Sequence, residues 1–127
     1  MTSRTALPTL RRTIDQTDMV AYAGATWDWH RLHHDIDYAR SKGLEGTVVD
    51  GQMFGAMMAA QLSSHFGTEW RVSALDFRFV SMVYAGETVE VAGVIEEDSE
   101  AEAACTHTVS VGDRICATGT SKVTHAS

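Results

Sequence analysis

The chain reads as an α+β domain in which an antiparallel β-sheet curls around one hydrophobic helix. Residues 52–66 place Met53, Phe54, Ala56, Met57, Met58, Ala59, Ala60, Leu62 and Phe66 around nearly the whole circumference of a helix. A helix without a polar face must be surrounded by protein. From Gly67 onward the pattern turns extended, in runs over residues 70–80, 88–96, 101–111 and 114–123. No helical run separates these strands, which excludes a parallel βαβ arrangement.

Before the central helix the periodicity is helical but broken. Residues 13–17 are short and polar, and Thr17-Asp18 can cap a helix over about 19–25. Residues 36–41 form a further helical turn that ends at Lys42-Gly43, and residues 47–49 are a brief β-rich piece. In the first long strand Leu75, Phe77 and Phe79 share one face while Asp76 and Arg78 take the other. The small, polar, unpatterned ends, residues 1–9 and 124–127, are expected to fray.

With 127 residues, 44% of them hydrophobic, and a single Pro, the composition suits one globular domain over residues 1–127 that is able to bury a real core. A formal charge of -7 without a Lys/Arg cluster argues against nucleic acid as a partner. The longest apolar run, residues 53–60, is far short of the roughly 20 residues a membrane span needs, and no signal-peptide pattern is present. The expectation is a cytoplasmic protein.

Gly112-Asp113 between two β-rich runs predicts a two-residue hairpin with Gly leading, as a type II′ turn prefers. That register pairs Val111 with Arg114 and Val109 with Cys116. Cys105 then lies about 13 Å along the strand from the position facing Cys116, too far for a disulfide, so both cysteines are expected as reduced, buried thiols.

Residues 27–35 read Trp-Asp-Trp-His-Arg-Leu-His-His-Asp, which places an acid, a base and two indoles together. Histidine accepts and donates protons near neutrality, and a nearby carboxylate orients it. On a straight helix Asp28 and His33 would point roughly 140° apart. Their cooperation therefore requires a loop or a broken helix.

The segment from Asp28 to His33 resembles the Asp-x-Asn-Pro-x-His signature of the MaoC-like acyl dehydratases and (R)-specific enoyl-CoA hydratases, which have the hot dog fold. Other pieces follow in that family's order: Asp37-Tyr38-Ala39, then Asp50-Gly51-Gln52-Met53 at a step into the central helix, Leu75-Asp76-Phe77-Arg78-Phe79, and Tyr84-Ala85-Gly86-Glu87-Thr88-Val89. The resemblance covers about residues 14–123, with three departures from the pattern. His30 and Arg31 stand where the signature has Asn and Pro, Asp50 replaces a His, and Ser81-Met82 stands where a Pro is common.

The resemblance implies a hydratase or dehydratase that interconverts a 2-enoyl thioester and the 3-hydroxyacyl thioester, with no cofactor and no metal. The thioester is carried by CoA or an acyl-carrier protein. Asp28 and His33 would grip one water, and Gly51, opening the helix, would turn its N–H and the positive end of the helix dipole toward the thioester oxygen. Glycine there would also let the substrate come close to the backbone. Trp29, His30, Arg31, Met53 and Met57 are the expected substrate-binding residues, although the methionines also suit core packing. Trp27 and Trp29 could wall the pocket or pack at a subunit contact. Asp50 is expected to cap the helix, because a carboxylate aimed at an oxyanion would oppose catalysis. Arg31, Arg40, Lys42, Arg71 and Arg78 are candidates to meet the carrier, and a homodimer is expected.

Three other readings use the same residues. His30, His33 and His34, with Asp35 and Asp37, have spacings that could hold zinc. A hot dog thioesterase would set a carboxylate and a helix-start N–H at a thioester without the Asp-to-His pairing. A supporting subunit of a heteromer would borrow its partner's dyad.

Overall fold

A computed structural model describes residues 4–126. In chain order it contains β1 (Thr5–Ala6), β2 (Leu10–Thr13), α1 (Gln16–Thr26), a short 3-10 helix (Arg31–His33), α2 (Ile36–Ser41), α3 (Gln52–Phe66), β3 (Trp70–Phe79), β4 (Thr88–Asp98), β5 (Glu102–Val111) and β6 (Arg114–His125). The strands form one antiparallel sheet in the order β1-β4-β5-β6-β3, with β2 also pairing β4. The α+β architecture, the central helix and the four long strands match the sequence reading. The two short N-terminal strands were not foreseen.

The sheet wraps α3 because that helix has no face for water. Phe54, Met58 and Leu62 are buried against Val89, Val91, Val109 and Val123 from the strands, and fully burying a side chain of this size contributes about 1.5–3 kcal/mol. Two glycines one turn apart let β3 approach. The Phe77 ring lies over Gly55 and the Phe79 ring over Gly51, where an added Cβ would sit 2.6 and 2.3 Å from the respective ring carbons.

The expectation that residues 1–9 fray fails for those the structure describes, and residues 1–3 lie outside them. Thr5 and Ala6 pair with Ile95 and Val94, Leu10–Thr13 pairs with residues 88–91, and Leu7 is buried between the two short strands. A single large apolar side chain, Leu7, among residues 4–9 gave no period to read. At the other end β6 continues to His125, whose N–H donates to the Ala101 carbonyl at 2.8 Å, so residues 124 and 125 are ordered too. Ser127 lies outside the described residues.

Helix α1 also begins earlier than expected. Asp15, not Thr17, is the cap, with its carboxylate accepting from Asp18 N–H at 2.8 Å and the Asp18 carboxylate accepting from Asp15 N–H at 3.1 Å. This reciprocal capping box satisfies two helix-start donors at once. Gly112 takes φ 57° while Asp113 does not turn positive, as the predicted turn requires. Val111 pairs Arg114 as expected, but Val109 faces Ala117 rather than Cys116, because a bulge leaves Cys116 as the extra residue. Both cysteines are free and buried.

Gln61 of α3 is buried but fully engaged. Its Nε2 donates to the Pro8 and Val91 carbonyls, leaving Oε1 to accept from His107 Nδ1 at 2.9 Å. His107 Nε2 then accepts from the Ser121 hydroxyl at 2.8 Å, an assignment fixed by the partners' chemistry. Burial disfavours the imidazolium and lowers the His107 pKa from its ordinary 6.5.

Because the unfolded chain then binds a proton that the native fold refuses, stability is fully present above 6.5 and declines as pH falls below it. Thermal unfolding of wild type and His107→Gln across that range measures this term. The variant is expected to lose part of the acid-side decline, and identical pH slopes in the two proteins would refute it.

Candidate active site

The loop after α1 is shaped by a backbone reversal. Trp27 adopts the left-handed conformation, φ 58° and ψ 34°, costing about 1–2 kcal/mol for a residue with a Cβ. Its N–H and that of Asp28 both reach the Ala23 carbonyl, closing the helix and turning Asp28 off its axis. The chain then enters the 3-10 turn that carries His33. The segment is therefore the broken helix that a shared role for Asp28 and His33 demands.

His33 is held firmly. Its Nδ1 donates to the Val48 carbonyl at 2.7 Å, since a carbonyl can only accept, and this leaves Nε2 with the lone pair in the neutral ring. Its own carbonyl accepts from Gln16 Nε2, and Gln16 Oε1 in turn accepts from Thr47. His33 Nε2 faces two carboxylates: Asp28 Oδ2 at 3.9 Å and Asp50 Oδ2 at 4.0 Å. Among the described residues, Asp28, His33 and Asp50 are the only His, Cys, Asp or Glu set with donor atoms all within 4.8 Å of one another.

Asp50 does cap α3 as expected, its Oδ1 accepting from Gln52 N–H at 3.0 Å. Its place beside His33 was missed. The only sequence signal was that an acid stands in this position where the related signature has a histidine. The two carboxyl groups are unlike. The neighbouring Asp50 carboxyl is the main influence holding Asp28 below the usual carboxylate range, aided against partial burial by His30 N–H and the His33 and His30 rings. Burial raises Asp50, with the Asp28 carboxyl beside it adding to the rise against the Gln52 N–H and the His33 ring.

Gly51 has right-handed helical geometry, φ -61° and ψ -20°, so glycine is not needed there for backbone conformation. Nor does the space above its Cα stand open for a ligand, as the sequence reading supposed, because the Phe79 ring fills it. Among the described residues no protein acceptor is recorded for the Gly51 N–H, while Gln52 and Met53 N–H are taken by Asp50. His33 and Gly51 line one cavity of about 390 Å³ with Phe54, Phe79, Met82 and Val83.

The expected substrate-binding residues do not gather there. Met53 and Met57 line a second cavity of about 410 Å³ with Leu10, Tyr22, Ala56 and Ala60, and Arg11 and Arg12 also border it. Tyr22 lies close enough to feel the charges of Asp50 and Asp28, which, after burial, raise its pKa. Arg31 is engaged with Asp35 at 2.9 Å and stacks 4.4 Å from the Tyr38 ring centre. His30 Nδ1 accepts from Leu32 N–H, and Trp29 packs edge-on against Trp27 and His34. The zinc set fares no better. His34 Nε2 meets the Trp29 carbonyl and Asp35 caps α2 through Tyr38 N–H, so these groups point apart.

A six-stranded sheet wrapped around one buried helix, with two carboxyl groups and an imidazole gathered at that helix's start, defines a hot dog domain. The chain belongs to the MaoC-like domain family, whose model matches residues 2–117. It is 35% identical over 86 residues to the mitochondrial 3-hydroxyacyl-[acyl-carrier-protein] dehydratase of Arabidopsis thaliana, covering 67% of this chain and 49% of that protein. The chain thus spans about half the length of that curated relative. Among solved structures, the ChsH1-ChsH2 complex of Mycobacterium tuberculosis superimposes with a TM-score of 0.89 at 21% identity, covering 95% of both chains. The (R)-hydratase from A. caviae involved in PHA biosynthesis gives 0.87 at 19% identity, covering 98% of this chain and 95% of that one. Likeness at these identities shows the shared fold.

The Gly51–Phe79 contact gives a test. Gly51→Ala should destabilise the protein by about 1 kcal/mol, the low end for overpacking because the Phe79 ring is exposed enough to swing away. In a Phe79→Ala background the same change should cost nothing, measured as a double-mutant cycle in denaturant unfolding. An equal cost in both backgrounds would rule the contact out as the reason for glycine.

Proposed function

We propose that the protein is a hydratase or dehydratase of acyl thioesters, interconverting a 2-enoyl and a 3-hydroxyacyl thioester. The observation that carries this reading is the convergence of His33, facing Asp28, and the unengaged Gly51 N–H on one apolar cavity. Adding water across the double bond needs a group to deprotonate the water at C3, a proton for C2, and stabilisation of negative charge growing on the thioester oxygen. Asp28 and His33 act on the water and the proton. The Gly51 N–H, at the positive end of a fifteen-residue helix, receives the oxygen.

Family membership and the Arabidopsis relative support this reaction over thioester hydrolysis. The presence of both acid and base supports a catalytic chain over a supporting subunit. Either CoA or an acyl-carrier protein would serve as the handle. The Arabidopsis relative is mitochondrial by name, and no helix among the described residues is long and apolar enough to cross a membrane.

Assembly follows from the sheet. Strand β3 ends the order with one edge unpaired among the described residues, and Phe79, Val80, Met82 and Ile115 are exposed near its C-terminal end. A second copy pairing along that edge would extend the sheet and cover the apolar rim. A different hot dog chain would do the same, as the name of the ChsH1-ChsH2 complex illustrates.

The test is turnover of short, medium and branched 2-enoyl-CoA substrates by wild type, Asp28→Asn and His33→Ala. Each variant should lose on the order of 10² to 10⁴ in rate while retaining its circular dichroism spectrum. Undiminished activity in both would sink the assignment.

A further inference from the structure

The site described above holds one carboxyl group more than an acid–base dyad needs. Asp28 comes from the reversal after α1 and Asp50 from the start of α3, yet both present an Oδ2 to the same nitrogen, at 3.9 and 4.0 Å. One oxygen of each carboxyl lies within 4.8 Å of the other, and like charges that close repel, which favours a proton shared between the two groups over two full charges. Their surroundings differ in the sense that separates an acid from a base. The Asp50 side chain is 13% exposed and the Asp28 side chain 44%.

We propose that Asp50 is a positioning and proton-sharing residue: it holds one proton jointly with Asp28, and this pair is the acid of the site while His33 Nε2 is the base. The proposal rests on the thioester hydratase reading and assigns the two proton transfers. In hydration, His33 Nε2 takes a proton from water as the oxygen bonds to C3. The π electrons of C2=C3 move onto the thioester oxygen at the Gly51 N–H. As that charge returns, C2 takes a proton from Asp28, and the Asp50 carboxyl ionises behind it. The imidazolium Nε2–H then returns its proton to the pair, so protein and protons balance over the cycle.

The directions of the two pKa shifts agree, Asp28 lowered and Asp50 raised. The other titratable groups whose fields reach the pair are His33, His30 and Tyr22. Capping alone does not explain an acid at position 50, because Asn caps a helix as well as Asp does.

Two measurements decide the matter. The first follows the carboxyl ¹³C signals of labelled Asp through a pH titration in wild type and Asp28→Asn. It needs no substrate, so it remains decisive even if the assumed reaction is wrong. Asp50 should titrate above its ordinary value in wild type and move down in Asp28→Asn, where the neighbouring charge is gone. An Asp50 curve unmoved by that change would overturn the proposal. The second compares Asp50→Asn with wild type in turnover of a 2-enoyl-CoA. Asparagine preserves the cap and a hydrogen-bond donor toward Asp28 but has no proton to transfer. The expected result is a loss of roughly 10²-fold in kcat with KM little changed. In an Asp28→Asn background the same change should cost almost nothing further. Wild-type kcat in Asp50→Asn would leave Asp50 as a cap only and refute the proposal.

Discussion

Everything in this domain answers to a helix that cannot touch water. Helix α3 buries Met53, Phe54, Gly55, Met57, Met58, Gln61 and Leu62, and nothing short of a sheet bent around it can cover so much of its circumference. The glycines at one-turn spacing are where β3 sinks its phenylalanines, and the one buried amide is satisfied by two carbonyls and a histidine. Covering the flanks leaves the first turn of α3 as the place where its backbone donors remain reachable. The site sits at that first turn for this reason.

The helix start contributes the unengaged Gly51 N–H, the preceding loop contributes the titratable side chains of Asp28 and His33, and the two are joined by few bonds. His33 reaches the strand-like piece before α3 through the Val48 carbonyl, and Gln16 ties the same turn to Thr47. These contacts place an imidazole nitrogen opposite two carboxyl groups without a direct hydrogen bond to either, at separations that let one small molecule touch all three. The left-handed Trp27 is the cost of turning Asp28 into that gap.

Much of the fold was legible because its signals were periodic. Residues 36–41 and 52–66 form helices with the bounds read from the sequence, and four strands follow the alternation closely. The short N-terminal strands escaped because they draw their hydrogen bonds from β4, and two to four residues are too few to show a period. The Cys116 bulge escaped because a one-residue slip leaves no trace in a run that is apolar on both sides. At the site, Asp28, His33 and Gly51 were chosen for their spacing and their neighbours, and the structure puts His33 beside Asp28 and on the cavity that Gly51 also lines. Asp50 was recognised only as a cap, since its second role depends on two segments meeting in space. Met53 and Met57 were rightly placed on an apolar face, but that face opens on a different cavity from the one His33 and Gly51 share.

The indoles give this molecule a built-in optical division of labour. Trp27 is 80% exposed and stands edge-on to Trp29, on either side of Asp28, whereas Trp70 is half-buried against Phe66 and His125 at the other end of α3. Emission from the first two reports the hydration of the loop, and emission from the third reports the integrity of the barrel-like core. Red or blue displacement of the emission on rearrangement of that loop would thus be read from Trp27 and Trp29, with Trp70 as the internal reference for the core.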